Sequence, residues 1–138
     1  MGWFRCCGGS AKPKGIQFPP VSGWTYTKNA QASSANVHMD DDYMGFTNAN
    51  TPGANVTFVP SITAKDSART ISVTFQLSDG GHTVIRAGGQ DYSQTYSVGG
   101  VYTRQVTLPA NSIDFYIIIQ QQWSVTSYTF KIIAVSES

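Results

Sequence analysis

From Ser112 to Val135 the chain alternates apolar and polar positions in two runs. Ile113, Phe115, Ile117 and Ile119 fall at every second place, with Asp114, Tyr116, Ile118 and Gln120 between them. After Gln121 to Ser124, Tyr128, Phe130, Ile132 and Ala134 alternate with Ser127, Thr129, Lys131 and Ile133. A period of two puts each set on one face of a strand. Two β-branched and aromatic runs joined by a short polar break predict an antiparallel hairpin at the centre of a sheet.

The same pattern recurs upstream. Ile71, Val73, Phe75 and Leu77 alternate with Thr70, Ser72, Thr74 and Gln76 in the cleanest strand of the chain, Arg69 to Leu77. Ser78-Asp79-Gly80-Gly81 reads as a hairpin turn onto His82 to Ala87, which Gly88-Gly89 ends. Gln90 to Tyr96 then pairs, on this reading, with Val101 to Leu108 across Ser97 to Gly100. Shorter strands are predicted near Trp24 to Lys28, Val37 to Met39, Tyr43 to Thr47 and Val56 to Val59. Asn29 to Asn36 is a loop, Asp40 to Asp42 and Asn48 to Gly53 are turns, and Ile62 to Ala68 is a polar connection with room for one helical turn. Eight or nine strands, spaced about ten residues apart and broken by Gly, Asn, Asp and Pro, predict an all-β domain. The expected architecture is an antiparallel two-sheet β-sandwich of jelly-roll type, with a closed barrel second. No repeat of propeller or β-helix period is visible.

Met1 to Pro20 breaks the pattern. Three prolines and scattered glycines disfavour helix and ladder alike. The segment reads as an irregular N-terminal arm, with the sandwich domain running from residue 21 to 138. Trp3 and Phe4 would be wasted in solvent, so the arm is expected to dock on a partner. Cys6-Cys7 is the sole cysteine pair. It fits an intermolecular disulfide, acylation, or two reduced thiols; Cys6 breaks the myristoylation pattern, which wants Ser or Thr there.

Composition narrows the function classes. The 138 residues suffice for one domain with its own core. Charged residues are only 12%, about half the usual share. Ser, Thr, Asn, Gln, Gly and Tyr carry the polarity, as suits virion proteins, extracellular proteins and glycan-facing modules. Net charge is +1. A near-neutral body has no electrostatic footprint for nucleic acid. No stretch approaches the roughly 20 apolar residues of a membrane span. The N-terminus lacks the apolar run of a secretory leader. Asn55-Val56-Thr57 matches a glycosylation acceptor, but without a leader the match reads as chance.

Candidate chemistry is sparse. His38 with Asp40, Asp41 and Asp42 is the densest group of ligating side chains, and the three aspartates could hold Ca²⁺. The Gly and distal Glu of an EF-hand are missing, and a solvated acidic turn explains the group as well. His38 and His82 are the only histidines, and no Gly-x-Ser-x-Gly elbow is present. Glycoside hydrolysis usually takes two carboxylates across one bond; the only Glu is Glu137, and the candidate aspartates are Asp91, Asp114 and the acidic turn, which nothing sets as a pair. An enzyme is therefore not expected. The aromatics are the better lead, because Tyr and Trp combine an apolar face with a hydrogen-bonding edge. Trp24, Tyr26, Trp123 and Tyr128 are the candidate ligand-stacking residues. Trp123, in a polar loop, stands out as exposed by intent.

Hydroxyl-rich strands, Gly-Gly turns, low charge and a separate N-terminal arm make Val21 to Val135 resemble the small β-sandwich proteins of bacteriophage fibres and capsid decorations. That resemblance implies a non-enzymatic structural or adhesion protein of a virion. It would be made in the cytoplasm, released by lysis, and assembled as a homo-oligomer or on other particle subunits through Trp3, Phe4, Cys6 and Cys7. The alternative is a carbohydrate-binding module that stacks sugars on its Trp and Tyr rings, with or without calcium at the acidic turn.

Overall fold

The structure is a computed structural model that describes residues 15 to 138 apart from positions 50, 124 and 126. Ten strands form two five-stranded antiparallel sheets. They are β1 (Trp24–Lys28), β2 (Asn36–Met39), β3 (Met44–Ala49), β4 (Asn55–Pro60), β5 (Arg69–Leu77), β6 (Gly81–Ala87), β7 (Gln90–Tyr96), β8 (Gly100–Leu108), β9 (Phe115–Gln121) and β10 (Ser127–Glu137). One sheet has the order β1-β4-β9-β6-β7 and the other β2-β3-β10-β5-β8. The architecture is the expected two-sheet sandwich of jelly-roll type.

Strand pairing departs from the local reading. β9 and β10 are not a hairpin. Each is the middle strand of its own sheet: β9 lies between β4 and β6, and β10 between β3 and β5. Ser78 to Gly80 likewise carries the chain from one sheet to the other, and so does Ser97 to Gly99. Among the described residues only β2–β3 and β6–β7 are hairpins of consecutive strands, the second closed by Gly88-Gly89 itself, with Ala87 opposite Gln90. Crossing at nearly every connection lets each strand bury one face against the opposite sheet.

Phe115, Ile117, Ile119 and Gln121 of β9 point inward, whereas Ile113 precedes the strand and is 62% exposed. In β10 a register shift between Ile132 and Ala134 replaces Ala134 with Val135 on the inner face. Such a bulge adds one residue to one side of a pair and so inverts the alternation beyond it. Phe130 is the hub of the core. Its ring lies 5.9 Å from Phe46 and 6.2 Å from Phe75 in its own sheet, and 6.1 Å from Phe58 across the sandwich. A 3-10 turn falls at Ala30–Ala32, where the Asn29 side chain caps it by accepting from the Ala32 N–H. The stretch 62 to 68 holds no helical turn.

Trp3, Phe4, Cys6 and Cys7 lie outside the described residues. The described end of the arm belongs to the core: Ile16 and Phe18 are both 2% exposed. Phe18 and Val135 exchange backbone hydrogen bonds of 2.9 and 3.0 Å. Alternating Ile16 and Phe18 supply the apolar face that makes this short bridge worthwhile despite the neighbouring prolines.

Candidate functional site

The end of the sandwich where β9 leaves its sheet carries the most exposed tryptophan described. After Gln121 the chain turns toward the other sheet, and Trp123 stands at this crossing, 43% exposed. Its ring lies against Gly80 in the β5–β6 crossing. A Cβ on Gly80 would overlap Trp123 Cζ3 and stand 2.6 Å from the Tyr96 carbonyl oxygen. The missing side chain therefore creates the bed on which the indole rests. Gly80 is itself fixed, since its N–H donates to Asp79 Oδ1 at 2.7 Å.

Gln121 anchors the same corner from inside. It is fully buried. Its Nε2 donates to the Trp123 carbonyl at 2.9 Å, and its Oε1 accepts from Asn48 Nδ2 at 2.9 Å. Its backbone exchanges hydrogen bonds of 2.9 Å with Ala54 and Gly53. A buried amide with its polar atoms satisfied specifies one arrangement of the loop. The result is an indole seated against the Gly80 backbone and 43% exposed to solvent. That arrangement suits stacking against the apolar face of a flat ligand. Sequence reasoning singled out Trp123 but missed Gly80 and Gln121. Gly80 reads as turn punctuation, while the inward alternation of β9, continued by one step, points to Gln121.

The other aromatic candidates divide. Tyr128 is fully buried, so no face of its ring is open to a ligand. It shares the inner side of β10 with Phe130, and burial pushes its phenol well above the ordinary range. Trp24 is 8% exposed, with Nε1 donating to the Gln17 carbonyl at 2.9 Å. It belongs to the core that holds the N-terminal segment. Tyr26 is 43% exposed at the edge strand β1, beside a concavity of about 410 Å³ that Val21, Trp24 and Met39 also line. These residues do not gather around Trp123.

The acidic turn differs from the expected set. His38 replaces Asp41 as the third member: the ligating atoms of His38, Asp40 and Asp42 lie within 4.8 Å of one another. Asp41 points elsewhere and accepts from the Val21 N–H at 2.8 Å. His38 Nε2 meets Asp42 Oδ1 at 2.9 Å, and its ring stacks on Tyr43 with centroids 3.9 Å apart. The His38 hydrogen bond holds the Asp42 carboxyl below its ordinary value, although burial works the other way. These contacts account for the group as the turn of the β2–β3 hairpin.

No protein-family model matches the sequence, and no curated protein matches it. Solved structures do match. The K3 cleaved adhesin domain of Lys-gingipain from Porphyromonas gingivalis superposes with a TM-score of 0.55 at 11% identity, over 83% of this chain and 89% of that one. A family 29 carbohydrate-binding module gives 0.56 at 8% identity, over 84% and 79%. The module TmCBM61, in complex with beta-1,4-galactotriose, gives 0.56 at 8% identity, over 86% and 90%. At such identities the likeness is one of fold.

Proposed function

We propose that this chain is a non-enzymatic carbohydrate-recognition domain serving adhesion, with Trp123 as its stacking platform. The observation that carries the reading is the Trp123 indole, exposed in a loop yet held in one place by Gly80 and Gln121. A stacking ring must be both accessible and pre-ordered, because ordering it on binding would cost affinity. The low charge supports an uncharged ligand. The structural neighbours support the class, since those described are an adhesin domain and modules named for binding carbohydrate.

The test is a glycan array probed with the whole chain and with Trp123→Ala. Binding to a defined set of glycans, lost in the variant, supports the reading. An array without a hit at high protein concentration refutes it. The virion-assembly reading rests on Trp3, Phe4, Cys6 and Cys7, and the described residues add nothing in its favour.

A further inference from the structure

On the outer face of the β1-β4-β9-β6-β7 sheet, register brings four polar side chains into line. Asn55 of β4 lies opposite Gln120 of β9, Gln120 opposite His82 of β6, and His82 opposite Thr95 of β7. Adjacent strands stand about 4.8 Å apart, so the row runs across the strands for about 14 Å. Asn55, Gln120 and His82 are half-buried and Thr95 is exposed. The Asn55 and Gln120 side-chain amides bond to no other described group. His82 uses Nδ1 on Thr95 Oγ1 at 2.8 Å and keeps Nε2 uncommitted. Two free amides and one imidazole nitrogen thus face solvent with donors and acceptors unspent.

A second row runs parallel to the first, two residues along each strand. Thr57 lies opposite Ile118, Ile118 opposite Val84, and Val84 opposite Ser93. Ile118 and Val84 are half-buried on this outer face. The surface is therefore a strip in which a row of hydrogen-bonding groups runs beside a row whose two middle members are hydrocarbon. Its nearby charges are paired with one another: Arg86 donates to Asp114 at 2.9 Å and to Asp91 at 3.1 Å. The outer face of the other sheet differs. There Thr74 bonds Thr103, Ser72 bonds Gln105, and Thr47 meets Thr129, so these polar groups are already paired.

We propose that this strip binds an extended chain of uncharged sugars laid across the strands. The inference rests on the carbohydrate reading above and goes further by naming the surface and the polymeric, neutral class of ligand. A sugar ring offers a C–H face and a rim of hydroxyls that donate and accept. Ile118 and Val84 fit the first, and the Asn55 and Gln120 amides fit the second. The strand spacing is close to the advance of an extended glycan per sugar, so successive rings meet successive strands. The row also lies at the Trp123 end of the sheet, because Gln120 adjoins Gln121 and His82 follows Gly80-Gly81. The strip and the indole thus share one end of the sheet.

The experiment is calorimetry of the whole chain against soluble neutral polysaccharides, their oligosaccharides of rising length, and an anionic polysaccharide. Asn55→Ala, Gln120→Ala, Gln120→Glu and Trp123→Ala are measured alongside, with circular dichroism to confirm folding. The expected result is neutral-polymer binding that tightens with chain length. Each of Asn55→Ala and Gln120→Ala weakens it by about 3- to 10-fold, the worth of one or two hydrogen bonds, and flattens the length dependence. Gln120→Glu keeps the side-chain size, so its loss of affinity reports chemistry rather than packing. If Trp123→Ala abolishes binding while the Asn55 and Gln120 variants bind as wild type, the strip is not the site and the carbohydrate reading stands. Binding confined to the anionic polymer overturns the neutral class. Binding to none of the sugars overturns strip and carbohydrate reading together.

Discussion

The Ile16 N–H donates to Glu137 Oε1 at 2.9 Å, joining two residues 121 positions apart. The same carboxylate accepts from Lys65 Nζ and, at 3.3 Å, from Arg69. Arg69 is almost fully buried, its side chain 3% exposed, and it also donates to the Ser112 carbonyl at 3.2 Å. One acidic group thus ties the N-terminal segment, the β4–β5 connection and the start of β5 to the end of β10. Without it Phe18 would dock on Val135 beside an uncompensated cation.

Acid should loosen this tie. Burial works to raise the Glu137 carboxyl, but Lys65, the Ile16 amide and Arg69 outweigh it and hold the group below its ordinary 4.5. A carboxyl depressed in the folded state contributes stability above its unfolded value and loses it as pH falls through its folded value. Stability is therefore expected to drop below about pH 4.5. Glu137→Gln should cost about 3 kcal/mol at pH 7, because Arg69 stays buried without its anion. Its remaining stability should fall less between pH 7 and pH 4 than that of the wild type. Urea denaturation at the two pH values checks this; equal losses in both proteins would show that Glu137 does not carry the linkage.

Gly45 permits the β3–β10 pairing. It stands opposite Lys131, and an added Cβ would run into the Phe130 carbonyl oxygen. Backbone cannot step aside as a side-chain tip can. Gly45→Ala is expected to destabilise by about 3 kcal/mol, the upper end for overpacking, by forcing the β3 and β10 strands apart rather than through backbone conformation. A thermal midpoint unchanged from wild type would refute the close approach.

These elements mark what the sequence could and could not disclose. Alternation told inside from outside along β5 and β9, because burial against one partner sheet writes a period of two into each strand. It did not tell which strands pair. Ser78 to Gly81 has the chemistry of a tight reversal, and a reversal serves a hairpin or a crossing between sheets equally well. The bulge after Ile132 was invisible, since Ile133-Ala134-Val135 is apolar throughout. Trp123 was legible as an aromatic residue in a polar loop. The polar neighbours of Tyr128 suggest a ligand residue, but its spacing from Phe130 and Ile132 puts it on their buried face. Asn55, Gln120 and His82 carry no signal alone, for only the register across three strands makes them neighbours.

Tyr128 supplies a test of burial. Its hydroxyl lies beneath Gly81, fully buried and without a hydrogen-bond partner among the described residues. A buried hydroxyl left unsatisfied costs about 1 to 3 kcal/mol. Tyr128→Phe keeps the ring and removes that cost, so it should raise stability by about 1 kcal/mol, or Tm by about 3 °C. A loss of stability in this variant would mean that the hydroxyl has found a partner.

The Gly80–Trp123 contact predicts a coupling that separates placement from presence. Trp123→Ala removes a half-exposed ring and should cost under about 1 kcal/mol of stability while removing glycan affinity. Gly80→Ala leaves the ring in the protein but fills its bed, so the indole must move, and the Tyr96 carbonyl must also give way. If Gly80 acts only by seating the indole, Gly80→Ala weakens glycan binding in the wild-type background and has no further effect on binding once Trp123 is Ala. That non-additivity is what residues in direct contact show in a double-mutant cycle. Titrating the four proteins with one glycan measures it. Equal effects of Gly80→Ala in both backgrounds would mean that the glycine shapes the loop for some other reason, and that the seated ring is not the recognition element.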